Sequence, residues 1–171
     1  MSDLHIKLAT MEDFSDFSAI MNDAAAHKQS LGDTSWRQGF PDSGIRWMID
    51  RGDSYIAFLG DKAVACVGLV WDDEQDQEAW AAFNPSDGGY VHRLAVHRDF
   101  GGQGLGKQVL DWAADQVRQK GRHYLRFDVS PNNPGLCAYY EKLGFERVGT
   151  YTFLADPDNP EFTAALYQYQ V

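Results

Sequence analysis

Hydrophobic and polar residues follow two different periods along this chain, and each change of period marks a new element. Strict alternation predicts strands, whereas apolar residues spaced three and four positions apart predict helices. Strands are predicted at residues 5–9, 54–59, 63–71, 90–96, 123–129, 145–154 and 163–171. Helices are predicted after residue 10 and at residues 43–50, 105–120 and 134–143, of which the last two are stopped by Gly121 and Gly144. This order, with both hairpins and helical crossovers, favours a mixed α/β fold.

Turn and cap signals set the limits of these elements. Thr10 and Asp13 stand in capping-box positions before the first helix, and Ser43 is predicted to cap the second. Asn133 and Pro134 are typical of the N-cap and the first position of a helix. The predicted connections are a long loop at residues 26–41, an acidic exposed segment at residues 72–78, and turns at residues 84–89 and 156–161.

Four glycines crowd the six positions from 101 to 106, at the junction of a predicted strand and a predicted helix. Glycine reaches positive φ without a Cβ penalty, and it lets the backbone approach a ligand closely. The first N–H groups of the following helix have no intrahelical acceptor, and the helix dipole makes this end positive. The stretch is therefore typical of a site that binds phosphate, mainly through backbone groups.

The spacing of these glycines separates known kinds of phosphate site. A dinucleotide-binding fold needs GxGxxG, and here the third glycine comes one residue early. Residues 101–107 match the GxxxxGK of a P-loop, but Gln108 stands where a Ser or Thr hydroxyl should bind Mg²⁺. A P-loop nucleotidase is disfavoured for that reason, and Mg²⁺-dependent binding of ATP would restore it.

The composition predicts one globular domain over residues 1–171, with 44% hydrophobic and 23% charged residues. The net charge of −10 argues against binding to nucleic acid or to an acidic membrane, and it is compatible with a cationic acceptor such as an amine. The first ten residues lack the apolar region of a signal peptide, and no apolar run is long enough to span a membrane. Two cysteines are too few for a disulfide framework, which favours a reducing, cytoplasmic location.

Two motifs resemble those of the GCN5-related N-acetyltransferases (GNAT). Residues 101–106, GGQGLG, are similar to the family's motif A loop, although Gly101 stands where the family usually has Arg or Gln. Residues 132–145, NNPGLCAYYEKLGF, resemble motif B, in which an Asn precedes a Tyr by seven positions, here Asn133 and Tyr140. The resemblance implies the acyl-CoA N-acyltransferase fold, a single mixed, mostly antiparallel sheet with a central splayed strand pair flanked by helices.

The resemblance also implies acetyl-CoA as cosubstrate and a primary amine of a small molecule or peptide as acceptor, which attacks the thioester directly. Tyr140 would be the general acid, because a phenol with a pKa of about 10 keeps its proton at neutral pH and can assist a departing thiolate. Family members are often dimers, so the resemblance allows a homodimer. The residues implied in acetyl-CoA binding are Leu94, Ala95, Val96, Gly101, Gly102, Gly104, Leu105, Gly106, Lys107, Asn133 and Tyr140.

The general base is less defined by the resemblance. Many family members use a Glu on the central strand, and this chain offers His92 there. An unperturbed pKa of about 6.5 suits a base near neutrality. Alternation, however, places His92, Leu94 and Val96 on one face, where a core position is equally compatible. The alternatives are Asp128, Glu78, Asp87 or a chain of water molecules.

Trp36 and Phe40 are the candidate acceptor-binding residues, because a long loop inside a compact domain is often functional. They could wall an acceptor pocket, or they could anchor the loop to the core. No spacing of histidines and cysteines is typical of a metal site, so no metal is predicted.

Two functions fit the motifs. The first is an acetyl-CoA-dependent N-acetyltransferase, which Tyr140 favours because a simple binding module has no need of a phenol at that position. The second is a non-catalytic acyl-CoA-binding or regulatory module of the same fold, which Gly101 and the missing strand Glu favour.

Overall fold

The structure, a computed structural model, describes residues 3–155 and 160–171. Within these residues it contains seven strands and five α-helices. The strands are β1 (Leu4–Leu8), β2 (Ser54–Leu59), β3 (Lys62–Val70), β4 (Gly88–Val96), β5 (Tyr124–Val129), β6 (Glu146–Phe153) and β7 (Phe162–Gln170). The helices are α1 (Phe14–Ser30), α2 (Asp42–Asp50), α3 (Glu74–Ala79), α4 (Leu105–Gln119) and α5 (Pro134–Lys142). All seven predicted strands are confirmed.

The strand order in the sheet is β1-β2-β3-β4-β5-β7-β6. The chain divides into two compact units, of which the first is Met1–Leu69 with Val91–Ala113 and the second is Val70–Tyr90 with Ala114–Val171. Strand β4 and helix α4 each contribute residues to both units. The single domain expected over residues 1–171 stays a prediction.

The first unit is built on antiparallel strands covered by α1 and α2. Strand β2 pairs with β1 and with β3, and its register shifts at Ala57/Phe58. The predicted capping box is confirmed: the Asp13 carboxylate accepts a hydrogen bond from the Thr10 N–H at 2.9 Å, and it pairs with Lys7 at 2.6 Å. The core of this unit consists mainly of buried aliphatic and aromatic side chains, among them Phe17, Ile20, Met21, Ile45, Met48, Ile49, Ile56, Cys66 and Ala95.

The second unit contains the remaining strands. Residues Gly88–Tyr90 pair with β5 in parallel, whereas β7 pairs with β5 and β6 in antiparallel fashion. The buried Arg126 donates hydrogen bonds to the carbonyls of Phe83 and Asn84, and its guanidinium lies 4.9 Å from the Trp80 ring centroid. The mixed, mostly antiparallel α/β class is confirmed.

Two predicted connections are wrong because helices occupy part of them. The loop expected at residues 26–41 starts only after Ser30, since α1 continues through residues 26–30. The acidic segment expected to be a solvated loop contains α3, and Asp73 caps it by accepting a hydrogen bond from the Gln75 N–H at 3.0 Å. Asp76 and Ala79 of α3 are buried, so an acidic composition did not imply full exposure.

Two boundary predictions are also wrong. Ser43 does not cap α2, because the helix already begins at Asp42 and its N-cap is Pro41. Residues 88 and 89 belong to β4 and not to a turn. A Cβ on Gly88 would lie 2.8 Å from Cδ of Arg126, and a Cβ on Gly89 would lie 2.6 Å from a Val117 methyl. These glycines therefore permit close packing along a strand.

The end of the chain is described in part. Strand β6 ends at Phe153 and β7 begins at Phe162. Residues 156–159 of the turn predicted at residues 156–161 lie outside the described residues. Across the described ranges, no helix combines the length and the hydropathy that a membrane span requires.

Candidate active site

The glycine-rich turn connects a short 3-10 helix, Arg98–Phe100, to the first residue of α4. Gly102 and Gly104 have φ values of +75° and +73°, in the left-handed region that penalises residues with a Cβ. Among the described residues, apart from each glycine and its two neighbours in the chain, no atom lies within 4 Å of where a Cβ on either glycine would stand. The backbone path, and not close packing, therefore requires these two glycines.

Helix α4 starts directly after the turn and is anchored by its buried face, which includes Leu105, Val109 and Ala113. The first N–H groups of a helix point away from it at this end and carry its positive dipole. Lys107 lies in the first turn, and its ammonium forms an exposed ion pair with Asp111 at 2.6 Å. The expected anion-binding residues 101–107 thus form one continuous segment of the first unit.

Strand β4 changes its geometry at Arg93, whose φ is +51°. Such a backbone conformation costs about 1–3 kcal/mol for a residue other than glycine, and residues of this kind cluster at functional sites. A residue of this kind interrupts the regular alternation of side chains between the two faces of a strand. Leu94 and Val96 still alternate with Ala95, which is buried in the core of the first unit, but the alternation cannot be extended through Arg93 to His92.

His92 is half-buried and lies beside Gly68 of β3. A Cβ on Gly68 would stand 3.3 Å from the His92 Cβ and 3.2 Å from the His92 carbonyl oxygen. The absence of a side chain at residue 68 makes room for the start of the His92 side chain. Its role as general base stays a prediction.

The loop that carries Trp36 and Phe40 is tied to α1 by polar side chains. Asn22 accepts a hydrogen bond from the Phe40 N–H at 2.8 Å and donates one to the Phe40 carbonyl at 3.0 Å. Gln29 donates to the carbonyl of Trp36 at 3.2 Å. The two aromatic rings meet edge to face, 5.3 Å apart, and both pack against the core of the first unit. They anchor the loop, and their contact with an acceptor stays a prediction.

Asn133 and Tyr140 belong to the second unit, at α5. The side-chain oxygen of Asn133 accepts a hydrogen bond from the Leu136 N–H at 3.1 Å, which confirms the predicted N-cap. Tyr140 is buried, and its ring centroid lies 4.4 Å from that of Phe127. Burial is the main cause that raises the pKa of Tyr140 above its usual range, so its hydroxyl keeps the proton at neutral pH. The roles of both residues in binding and catalysis stay predictions.

A second buried tyrosine was not found by sequence reasoning. The hydroxyl of Tyr167 on β7 donates to Oε1 of Glu141 at 2.8 Å, and its ring stacks on Phe127 at 6.0 Å. Burial, followed by the hydrogen bond to Glu141, raises the pKa of Tyr167. The contact ties α5 to β7. No local pattern could predict it, because the two residues are 26 positions apart in the sequence.

The alternative bases have partners of their own. Asp87 lies 2.6 Å from Nδ1 of His123. Glu78 shares a hydrogen bond with Tyr151, which raises the pKa of that tyrosine. Asp128 lies on β5 and also makes a polar contact. Among residues 3–155 and 160–171, no three or more His, Cys, Asp or Glu side chains are grouped as metal ligands would be.

Comparisons with known proteins agree with this architecture. The sequence profile of the acetyltransferase (GNAT) family matches residues 17–145. An uncharacterized N-acetyltransferase of Bacillus subtilis (strain 168), YesJ, is 28% identical over 146 residues, which cover 82% of this chain and 81% of that protein. The L-methionine sulfoximine/L-methionine sulfone acetyltransferase of Pseudomonas aeruginosa is 27% identical over 124 residues, or 72% of this chain and 61% of that protein.

A solved structure is similar over nearly the whole chain. The structure of yncA from Salmonella typhimurium with its cofactor acetyl-CoA has a TM-score of 0.66 and 16% sequence identity, and the match covers 98% of this chain and 93% of that one. The likeness confirms the acyl-CoA N-acyltransferase fold. The profile match includes both the glycine-rich turn and the segment with Asn133 and Tyr140. The chain therefore belongs to the acetyltransferase (GNAT) family.

Proposed function

We propose that this enzyme transfers the acetyl group of acetyl-CoA to a primary amine of a small molecule or peptide, by direct attack of the amine on the thioester. The observation that carries the proposal is the turn in which Gly102 and Gly104 adopt left-handed backbone immediately before α4. Such a junction offers several N–H groups and the positive end of a helix to one anion. The pyrophosphate of acetyl-CoA is an anion of this kind.

The donor is held mainly by backbone in this proposal. Leu94, Ala95 and Val96 bind the pantetheine arm through strand-like hydrogen bonds, as the resemblance implies. Asn133 and Tyr140 contribute at the acyl end of the donor. Side-chain charge is secondary, because the ammonium of Lys107 is shared with Asp111. The residues proposed to bind the pyrophosphate are Gly101, Gly102, Gly104, Leu105, Gly106 and Lys107.

The proposed chemistry needs one base and one acid. His92 takes a proton from the acceptor ammonium or from the attacking amine, and the amine nitrogen forms a bond to the thioester carbon. The C–S bond breaks, and Tyr140 donates its hydrogen bond and then its proton to the departing CoA thiolate. The raised pKa of Tyr140 keeps its hydroxyl protonated until the thiolate forms. It also makes the phenol a weak acid, so the hydrogen bond to the departing sulfur stabilises the thiolate before the proton moves. The products are the N-acetylated amine and CoA.

The acceptor class is supported by the charge of the chain and by the relatives. The net charge of −10 favours the approach of a cationic amine. The relative from Pseudomonas aeruginosa is named for two small amino-acid derivatives, and we propose a small molecule with an amino group here as well. Trp36 and Phe40 are proposed to contact it.

Binding of the donor can be tested before the acceptor is known. We would follow the thermal unfolding of the purified protein with acetyl-CoA, CoA, ATP with Mg²⁺, and NAD in parallel. A ligand that binds only the native state adds RT ln(1 + [L]/Kd), about 2.7 kcal/mol at a hundredfold excess over Kd. We expect a rise with acetyl-CoA and with CoA, and none with the other two. No rise with either CoA species would contradict the proposal.

Turnover separates the enzyme from a binding module of the same fold. The release of CoA thiol would be followed while a panel of amines is presented with acetyl-CoA. We expect amine-dependent release that Tyr140→Phe reduces while acetyl-CoA binding persists. Binding of acetyl-CoA with no release for any amine, in the native protein as in the variant, would favour the non-catalytic module instead.

Location and assembly are further parts of the proposal. We propose a cytoplasmic location, which the two free cysteines support, because Cys66 is buried and Cys137 is half-buried without a disulfide. We propose a homodimer because members of the family are often dimers. The acidic charge supports the expectation that the protein does not bind nucleic acid.

A further inference from the structure

The residues immediately before the glycine-rich turn place an arginine side chain beside it. Arg98 begins the 3-10 helix that ends at Phe100, and the turn follows at Gly101. A Cβ on Gly101 would stand 3.6 Å from Nη1 and 3.7 Å from Cζ of Arg98. The guanidinium therefore lies next to the first residue of the turn, and the absence of a side chain at Gly101 leaves room for it.

The backbone of Arg98 is held through both of its polar groups. Oδ2 of Asp23 on α1 accepts a hydrogen bond from the Arg98 N–H at 2.8 Å, across 75 positions of the sequence. The carbonyl oxygen of Arg98 accepts one from the Gly101 N–H at 2.9 Å. These residues all belong to the first compact unit. The point from which the Arg98 side chain starts is thus fixed relative to the glycine-rich turn.

The charge of Arg98 is not matched by a carboxylate in the described part of the chain. Arg98 is exposed, and within residues 3–155 and 160–171 its guanidinium forms no ion pair. Its neighbour Asp99 lies 3.8 Å from Nδ1 of His97 instead. Lys107, on the other side of the turn, differs because its ammonium pairs with Asp111 at 2.6 Å. Arg98 therefore offers its charge to a molecule from outside the protein.

A guanidinium and the N–H groups of a helix start bind phosphate in different ways. The N–H groups provide directed hydrogen bonds and a partial positive charge. A guanidinium provides a full charge and a planar fork that matches two phosphate oxygens. The chain carries 25 acidic and 15 basic residues, so at long range it repels an anionic donor. A cation beside the turn offsets this repulsion where the anion binds.

We propose that Arg98 binds the pyrophosphate of acetyl-CoA, together with the backbone N–H groups of the glycine-rich turn. This inference rests on the proposed function and adds a donor-binding residue to it. Arg98 precedes residues 101–107, the segment already proposed to bind this anion. The turn provides the directed donors, and Arg98 provides the charge.

The test measures the Kd for acetyl-CoA by calorimetry in the native protein and in two variants of residue 98. Both variants keep the backbone groups that bond to Asp23 and Gly101, so the fold should be retained, which urea unfolding would verify. For Arg98→Ala we expect the Kd to rise about tenfold, at the lower end for a hydrogen bond between charged groups. For Arg98→Lys we expect a smaller rise, because the charge is kept and the fork is lost.

Arg46→Ala is the matched control. Arg46 is likewise exposed and belongs to the first unit, and its guanidinium lies 4.6 Å from the ring centroid of Phe14. Its removal changes the net charge as much as Arg98→Ala does, and we expect the native Kd. The difference between the native protein and Arg98→Ala should also shrink as sodium chloride is raised from about 50 mM to about 500 mM, because salt screens exposed charges. A loss that came only from altered packing would not depend on salt in this way.

A second ligand distinguishes the two phosphate groups of the donor. CoA carries a pyrophosphate and a 3′-phosphate, whereas 3′-dephospho-CoA keeps only the pyrophosphate. We expect Arg98→Ala to weaken the binding of both ligands by the same factor. A loss seen with CoA and absent with 3′-dephospho-CoA would assign the contact to the 3′-phosphate and overturn the pyrophosphate assignment.

The outcomes separate this inference from the function on which it rests. Native affinity in Arg98→Ala, or an equal loss in Arg46→Ala, overturns the role of Arg98 and leaves the acetyltransferase proposal intact. A native protein that binds neither acetyl-CoA nor CoA overturns both. A salt-dependent loss in Arg98→Ala that both CoA ligands share, with native affinity in Arg46→Ala, supports the assignment.

Discussion

His92 approaches Gly68 so closely that a Cβ on Gly68 would stand 3.3 Å from the Cβ of His92. This separation is shorter than an ordinary van der Waals contact between carbon atoms. The nearest atom would be the His92 carbonyl oxygen at 3.2 Å, which is backbone and cannot move aside as a flexible side chain can. The lack of a side chain at Gly68 on β3 therefore leaves the space that the backbone and Cβ of His92, the proposed general base, occupy.

Gly68→Ala should displace His92 and lower activity. We expect a loss of about 1–3 kcal/mol in the free energy of unfolding, as for other overpacked sites, and a fall in kcat that is larger than the change in the KM for acetyl-CoA. Urea unfolding and steady-state kinetics would measure both. Gly44→Ala in α2 is the control, because its Cβ would meet Pro41 at an ordinary 3.7 Å. An unchanged kcat in Gly68→Ala would argue against His92 as the base.

Gly104→Ala should weaken acetyl-CoA binding more than it destabilises the fold. The φ of +73° costs about 1 kcal/mol for a residue with a Cβ, and the added Cβ meets no described atom within 4 Å. The change therefore alters the path of the turn and the direction of its N–H groups. We expect the Kd for acetyl-CoA, measured by calorimetry, to rise about tenfold or more, the equivalent of one or more backbone hydrogen bonds.

Gly52→Ala is the matched control for this variant. Gly52 has a φ of +75°, and its Cβ would likewise meet no described atom within 4 Å. It follows the C-cap of α2, which ends at Asp50, and it lies outside the glycine-rich turn. The two variants should lose similar stability, and only Gly104→Ala should lose affinity for acetyl-CoA. An equal affinity in both would remove the turn from the donor site.

Tyr140→Phe should separate catalysis from binding. The ring contacts with Phe127 and Phe145 are preserved, so the fold should be retained. We expect kcat to fall about 100-fold, at the lower end for loss of a general acid, with the Kd for acetyl-CoA changed by no more than a few-fold. Tyr139→Phe, one position away on the exposed side of α5, serves as the comparison and should keep native kcat. A native rate in Tyr140→Phe would require another proton donor.

Tyr140 should also make the protein less stable at high pH. Its pKa is raised in the folded state relative to an unfolded value of about 10, so above that pH the unfolded chain binds fewer protons than the folded one. Its contribution is complete below about pH 10 and is lost as the pH rises towards the folded pKa, by at most about 1.4 kcal/mol per pH unit.

Urea unfolding between pH 8 and pH 11 would measure this dependence. Tyr140→Phe should show a shallower decline than the native protein. Part of the decline should remain in Tyr140→Phe, because the pKa of Tyr167 is raised as well. Tyr139→Phe should decline slightly less steeply than the native protein, because the charge of Tyr139 is a secondary cause that raises the pKa of Tyr140. A decline in Tyr140→Phe as steep as that of the native protein would refute the assignment to Tyr140.

Features that depend on neighbouring residues were predictable from sequence. The N-cap at Asn133 and the capping box of Thr10 and Asp13 were both predicted, because a cap is a hydrogen bond across two or three residues. The glycine-rich turn was predictable for the same reason, since glycine at Gly102 and Gly104 permits positive φ whatever the surroundings.

Features that depend on distant residues were predicted wrongly or not at all. The glycines at 88 and 89 looked like a turn, but they pair with Tyr124 and Leu125 of β5, and the side chains of Arg126 and Val117 leave no room for a Cβ at these positions. The acidic segment looked like a solvated loop, and burial of Asp76 and Ala79 made part of it a helix. The composition of a segment indicates its intrinsic secondary-structure preference, and tertiary packing can override that preference.

The sequence by itself determined the two family motifs, the order of the seven strands and of four of the five described α-helices, and the position of the glycine-rich turn. Hydrophobic periodicity, local hydrogen bonding and backbone freedom are enough to place these elements. The tertiary structure decided what lies round each candidate side chain. It placed Gly68 against His92, buried Tyr140 against Phe127, and held Arg93 at positive φ beside Trp47. Each of these contacts joins residues far apart in the chain, and only the closing of the whole core brings such residues together.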